Sequence, residues 1–143
     1  MRILKEDRIA ILIKRIALSI DKFAGQVLAP YELSNTQYKI IKFLYRQPDT
    51  AVRQTDIEKE FSLTNPTVTG IIQNLEKKGL VQRIPNPEDK RSKLLILTEE
   101  AMSIKEELYQ IGESIEAHVT SNLTKSEYDE LMRLLNKIEN KEG

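Results

Sequence analysis

Between Thr64 and Thr98 this 143-residue chain concentrates side chains that hydrogen-bond or carry positive charge. Thr64, Asn65, Thr67, Thr69, Gln73 and Asn74 are small polar or amide residues. Beyond them Lys77, Lys78, Arg83, Lys90, Arg91 and Lys93 stand against Glu88 and Asp89, a net of +4 over residues 77–93. Amides and hydroxyls suit the base edges of a duplex, small residues allow close approach to thymine methyls, and clustered cations suit phosphates. Acid–base and nucleophilic chemistry is poorly provided for. There is one histidine, His118, no cysteine, no glycine-rich phosphate loop and no zinc-ligand cluster. Glu99-Glu100 and Glu106-Glu107 read as exposed helix charges rather than paired catalytic carboxylates. The expectation is a protein that is not an enzyme and uses no metal or cofactor.

The polar stretch needs elements to position it. Thr64-Asn65-Pro66-Thr67 has the chemistry of a helix start, with Thr64 able to cap and Pro66 tolerated in the first turn. A helix to Lys78 would end at Gly79, a good left-handed cap residue. Val68, Ile71, Ile72 and Leu75 follow the i, i+3, i+4, i+7 rule and define its buried stripe. Pro66, Gly70, Gln73 and Lys77 then share the opposite face, flanked by Thr67, Thr69 and Asn74. Solvated helix faces ordinarily carry Glu–Lys pairs; this one is small, uncharged and able to hydrogen-bond, with cations only at its C-terminal end. Taken alone it fits an ordinary amphipathic helix as well as a groove-reading one. Leu80–Ile84 alternates like a strand, Lys93–Leu97 is a second apolar run, and Pro85–Ser92 is a polar loop between them, so the segment reads as a hairpin. A helix with a close-approach face followed by a basic hairpin is a winged helix, and that combination is far more specific than either half.

The stretch TVTGIIQNLEKKGLVQRIPNPEDKRSKLLILTEEA (residues 67–101) resembles the MarR (multiple antibiotic resistance regulator) family of transcription factors. The matching features are Thr67-Val68-Thr69, the run Leu75-Glu76-Lys77-Lys78-Gly79-Leu80-Val81, the wing Asp89-x-Arg91-Ser92, and Leu97-Thr98 leading into a helix. The resemblance extends over the whole chain in length and helix order, but its specific motifs lie between about residues 52 and 101. It implies an intertwined homodimer whose two recognition helices sit roughly 34 Å apart and read a pseudo-palindromic double-stranded DNA operator. It also implies a repressor released by a small aromatic or phenolic effector.

Composition is compatible with this. The 40% hydrophobic content suffices for a core, and one domain spanning residues 1–143 is expected. No apolar run approaches membrane length, and charged residues from Arg2 to Arg8 precede the first apolar stripe, so a cytoplasmic protein without membrane contact is expected. Formal charge is zero, which by itself argues against a nucleic-acid binder. Its distribution is polarised: residues 1–48 hold 9 bases and 4 acids, net +5, while residues 99–143 hold 5 bases and 11 acids, net −6. A molecule of this kind can approach phosphate with its basic face.

In chain order, Ile9, Leu12, Ile13, Ile16, Ile20, Phe23, Ala24 and Val27 form a helical stripe ending near Pro30. Ser34 or Asn35 caps a second helix with Tyr38, Ile41, Leu44 and Tyr45 inward, closing before Pro48. A third helix, Arg53–Phe61, turns through Ser62-Leu63 into the recognition helix as a helix-turn-helix. Family members often carry Ser or Thr where Arg53 stands; Arg53 cannot cap that way, so Thr55 or a water would substitute, or Arg53 would reach a phosphate. Thr98 caps one long fifth helix carrying Ile104, Leu108, Ile111, Ile115 and Val119. A last helix presents Tyr128, Leu131, Leu135 and Ile138. The fold expected is mainly α with a small β-hairpin wing. Residues 34–98 would form the winged helix-turn-helix lobe, and residues 1–30 and 99–143 a helical dimerisation region.

For DNA, Thr64, Asn65 and Thr67 would face phosphates or the first base edges, Pro66 and Thr69 thymine methyls, and Gln73 an adenine. Asn74 and Lys77 suit phosphates. Arg91 would enter a minor groove with Asp89 holding its guanidinium, while Lys90, Ser92, Lys93 and Arg83 touch the backbone. The plainer alternative for Asp89 and Arg91 is a solvated turn pair. His118 reads as a packing or surface residue. From the resemblance alone, Phe23, Tyr38 and Tyr45 could line an effector cleft. A rival to DNA reading is a winged helix that serves as a protein-interaction module, whose signature would be loss of Arg91 and the basic wing; both are present.

Overall fold

The computed structural model describes residues 8–47 and 52–140. Seven helices and one hairpin follow in order: α1 (Ile9–Leu28), a short 3-10 turn (Ala29–Tyr31), α2 (Asn35–Tyr45), α3 (Gln54–Phe61), α4 (Asn65–Lys77), β1 (Val81–Pro85), β2 (Lys93–Leu97), α5 (Glu99–Ser103), α6 (Lys105–Thr120) and α7 (Lys125–Glu139). This is the mainly helical, winged fold expected. The chain divides into two compact units, one from Ala24 to Ile111 and one made of the residues up to Phe23 and from Gly112 onward.

Within the Ala24–Ile111 unit, local chemistry sets each boundary. Ser34 closes a capping box on α2: its hydroxyl accepts from the Gln37 N–H, and the Gln37 side chain accepts from the Ser34 N–H. α2 ends at Tyr45, and Pro48 lies outside the described residues, as does the charged segment before Arg8. α3 and α4 form the helix-turn-helix through Ser62, whose φ of 53° is left-handed. α4 buries Val68, Ile72 and Leu75 completely, so the predicted stripe is its inner face. Gly79 follows at φ 76°, the conformation glycine adopts most cheaply. β1 and β2 pair antiparallel with Val81 opposite Leu97 and Pro85 opposite Lys93. The hairpin's outer edge is partly covered: the Leu95 N–H donates to the Val52 carbonyl at 2.8 Å, and Arg53 bridges Leu94.

Two expectations are corrected. The long fifth helix is divided at Ile104. The Ser103 hydroxyl donates to the Glu100 carbonyl at 2.6 Å, the acceptor that the Ile104 N–H would use in a continuous helix, and that N–H turns to Met102 instead. Nor does α3 start at Thr55. Arg53 occupies the cap position in extended conformation, and the Asp56 carboxylate accepts its backbone N–H at 2.8 Å. The acid three residues into the helix thus supplies its own half of a capping box, while the other half, a side-chain acceptor at the cap position, is absent because a guanidinium only donates.

Thr98 joins the wing to α5. Its hydroxyl donates to the Gly79 carbonyl at 2.6 Å and accepts from the Ala101 N–H at 3.1 Å. Thr98→Val should therefore cost about 1–2 kcal/mol in urea unfolding, by losing a cap and leaving a carbonyl unpaired. Thr98→Ser should recover most of it; a serine variant as unstable as the valine one would show that the methyl, not the hydroxyl, matters.

Candidate nucleic-acid interface

The outward face of α4 is open. Pro66, Gly70, Gln73 and Lys77 are exposed, and a Cβ built on Gly70 would meet nothing within 4 Å. At the head of the helix Thr64 has cap geometry but its side chain caps nothing; the hydroxyl donates to Thr67 Oγ1 at 2.9 Å instead. The first backbone N–H groups of α4 are therefore left without a side-chain cap, a positive end suited to a phosphate.

Several other predicted residues are engaged within the fold. Asn65 donates through Nδ2 to Glu58 Oε2 at 2.9 Å, and Thr69 accepts from Gln54 Nε2 at 2.8 Å, so α3 and α4 are stitched along the helix-turn-helix. Asn74 accepts from Gln37 Nε2 at 2.6 Å. Arg83 lies 3.0 Å from Glu76 on α4, which clasps the base of the wing to the recognition helix instead of leaving that cation free. Gln37, Gln54, Glu58 and Glu76 went unnoticed in the sequence as positioning residues. Gln54 and Glu58 carry the faint signal of an i, i+4 polar pair on a helix that must pack; the others carry none.

The wing tip is built from side chains that hold its own backbone. Asn86 Oδ1 accepts from the Glu88 N–H at 3.0 Å, Asn86 Nδ2 donates to Ser92 Oγ at 3.0 Å, and Asp89 Oδ1 accepts from the Arg91 N–H at 3.0 Å. Asp89 holds the turn as well as facing the Arg91 guanidinium. The Arg91 Nε is 3.6 Å from the same carboxylate and the side chain is 94% exposed, so Asp89 shapes the turn and pairs only loosely with a cation that projects into solvent. Lys90 and Lys93 are exposed beside it. Arg53, Arg83, Arg91 and Lys93 converge on a cleft of about 220 Å³ between the wing and Asn65, with Glu58 the one acid in its lining. Arg53 is itself 3.5 Å from Asp56.

The three residues expected at an effector cleft have partners of their own. Tyr38 is buried and donates to the Leu108 carbonyl at 3.2 Å, and Tyr45 donates to the Ala101 carbonyl at 2.5 Å. Their hydroxyls tie α2 to α5 and α6. Phe23 stacks on His118, ring centroids 4.1 Å apart and planes 6° from parallel. Among the described residues no helix is long and apolar enough to cross a membrane.

Comparison with known proteins supplies the context for this geometry. The family model described as MarR family matches residues 33–93. The multiple antibiotic resistance protein MarR of Salmonella typhimurium is 30% identical over 119 residues, covering 82% of this chain and 81% of that protein. Its namesake in Escherichia coli is 29% identical over 128 residues, covering 89% and 88%. Among solved structures, the S. aureus MepR–DNA complex matches with a TM-score of 0.83 at 28% identity, covering 93% of this chain and 97% of that one. A mutant E. coli MarR complexed with operator DNA matches with a TM-score of 0.79 at 29% identity, covering 90% and 91%.

Burial pushes the Tyr45 phenol up to about 12 and raises Tyr38 as well. An unfolded tyrosine ionises near ~10, so these raised values contribute stability that is complete below that pH and lost as pH climbs toward the folded value. Urea midpoints should fall between about pH 10 and 12. Tyr45→Phe should flatten that fall; an unaltered slope would mean that Tyr45 ionises as readily folded as unfolded.

Proposed function

This chain belongs to the MarR family, and from that premise we propose that it is a transcriptional regulator reading double-stranded DNA with α4 in a major groove and Arg91 in the adjoining minor groove. The observation that carries this reading is the pairing of an open α4 face, charged only at its C-terminal Lys77, with a wing whose foremost cation is 94% exposed. An exposed arginine on a turn held by Asp89 and Asn86 can enter a narrow A·T groove at little cost in wing order. The uncapped head of α4 and the cationic cleft provide phosphate contacts that set register, while Gln73 and the small residues address bases.

A second copy completes the reader. α1 exposes Ile9 at 69% and Ile16 at 51%, and α7 exposes Leu135 at 42% and Ile138 at 50%, apolar surface that a lone chain leaves in water. A homodimer through these helices would present two recognition helices to two half-sites. Release by a small aromatic effector, repression rather than activation, action in the cytoplasm and absence of catalysis complete the proposal on family grounds. For the effector, fluorescence titration with phenolic acids should reveal binding coupled to loss of DNA affinity; no coupling across a broad set would remove effector release from the reading.

Fluorescence anisotropy should show preference for the DNA upstream of this chain's own gene over a scrambled duplex, with log K falling linearly in log salt. Equal weak binding to both, and to a randomised pool, would turn the reading toward a protein-interaction module. Arg91→Ala should weaken binding about tenfold on A·T-flanked sites and less elsewhere; a uniform loss would make Arg91 a phosphate contact. Leu135→Glu with Ile138→Glu should shift the mass seen by light scattering from dimer to monomer, and an unchanged dimer would place the interface elsewhere.

A further inference from the structure

The end of the recognition helix is held by a relay of amides whose direction is dictated from one end. Gln37 is a buried polar side chain, 9% exposed. Its Oε1 accepts from the Ser34 N–H at 2.9 Å and from the Lys78 ammonium at 3.2 Å. Both partners can only donate, so the oxygen of Gln37 must face them. Its Nε2 is thereby turned toward Asn74 and donates to Oδ1 at 2.6 Å. Asn74 must in turn present an acceptor inward, which sends its own NH₂ outward. Lys78, the origin of the relay, is fixed by also donating to the carbonyl of Glu32, a residue in left-handed conformation.

Asn74 is exposed on the flank of the open face, about 40° around α4 from Gly70. We infer that Gln37 is a positioning residue that makes Asn74 a one-way reader, donating to the duplex and not accepting from it. The inference rests on the DNA-reading function proposed above. The groups Asn74 then fits are acceptors: a phosphate oxygen, O6 or N7 of guanine, N7 of adenine, or O4 of thymine. It is turned away from the paired donor–acceptor contact by which a free asparagine or glutamine grips adenine. Gln73, one residue earlier, has no such tether among the described residues and keeps both capabilities. Two adjacent amides on one helix thus have different reading rules, set by a residue on α2 that itself stays buried.

The relay can be reversed without changing its shape. Gln37→Glu keeps acceptors for Ser34 and Lys78 but replaces the Nε2 donor with a second acceptor, so Asn74 must turn its NH₂ inward and its carbonyl outward. The probe is the duplex most enriched by the wild-type protein from a randomised pool. Dissociation constants are measured for wild type, Gln37→Glu, Asn74→Ala and the double variant, with thermal melting alongside. Gln37→Glu should weaken binding about tenfold in the wild-type background and less than about twofold in the Asn74→Ala background. The second background subtracts the general repulsion that an added carboxylate brings. Equal losses in both backgrounds, or binding by Gln37→Glu equal to wild type, overturn the inference. Should Gln37→Glu fail to melt cooperatively, Gln37→Met takes its place in the cycle; it frees the Asn74 amide to rotate, and a loss that persists unchanged with Asn74→Ala again overturns the inference. A wild-type chain that enriches no duplex overturns the DNA-reading function itself, a result distinct from an additive cycle.

Discussion

Val68, Ile72 and Leu75 have no exposed surface, and the rest of the reading head depends on that buried stripe of α4. Each such side chain contributes on the order of 2 kcal/mol when fully removed from water. Three of them on one face hold a helix of thirteen residues whose other face contributes almost nothing to stability. Pro66, Gly70 and Gln73 make poor use of a helix as a structural element: proline and glycine are weak formers, and an exposed amide packs on nothing. They are tolerable because the inner face already fixes the helix. Stability and recognition are separated by 180° on one cylinder.

Apolar contact alone would fix that helix against the core but leave its roll and tilt soft. Polar pairs supply the missing constraints at three points. Gln54 and Glu58 hold the head of α4 through Thr69 and Asn65, Gln37 and Lys78 hold its tail, and Glu76 holds the wing through Arg83. Hydrogen bonds are directional where dispersion is not, so each converts packing into orientation. Thr98 and the Val52–Leu95 contact do the same for the hairpin, whose two strands would be marginal in isolation. The wing tip uses the opposite arrangement: Asn86 and Asp89 serve the backbone, and Arg91, in only a loose ion pair with Asp89, projects into solvent.

This division explains what was legible in the sequence. The helices of the winged lobe follow from apolar periodicity and from Ser34, Gly79 and Thr98, because caps and stripes are local and each residue declares its own role. The hairpin and its excess of cations were equally plain. The break at Ile104 was not, since Ile104, Leu108 and Ile111 keep helical spacing; it coincides with a serine hydroxyl donating to the carbonyl that the Ile104 N–H would otherwise use. The availability of each polar side chain was also hidden. Asn74 and Arg83 look as free as Gln73 and Arg91, and what distinguishes them is a partner elsewhere in the chain, brought close only by folding. Composition shows which groups can reach DNA; tertiary pairing decides which of them are left to do so.

Charge follows the same logic of locality. The chain as a whole is neutral, yet Arg53, Arg83, Arg91 and Lys93 line the cleft between wing and recognition helix with Glu58 the one acid in that lining, their partners Asp56, Glu76 and Asp89 standing behind them. At ~0.1 M salt the screening length is about 10 Å, so a bound phosphate responds to the charges beside it far more than to the net charge of the chain. Non-specific attraction, in contrast, grows with the general excess of cations that this chain lacks. Neutrality therefore lowers the background affinity for arbitrary duplex while leaving the local contacts of a matched site intact. For a regulator that must find one site among many, it is the ratio of those two affinities that matters. A balanced total charge with a concentrated basic wing raises that ratio, so the feature that argued against nucleic-acid binding in the bare composition becomes part of how such binding stays selective.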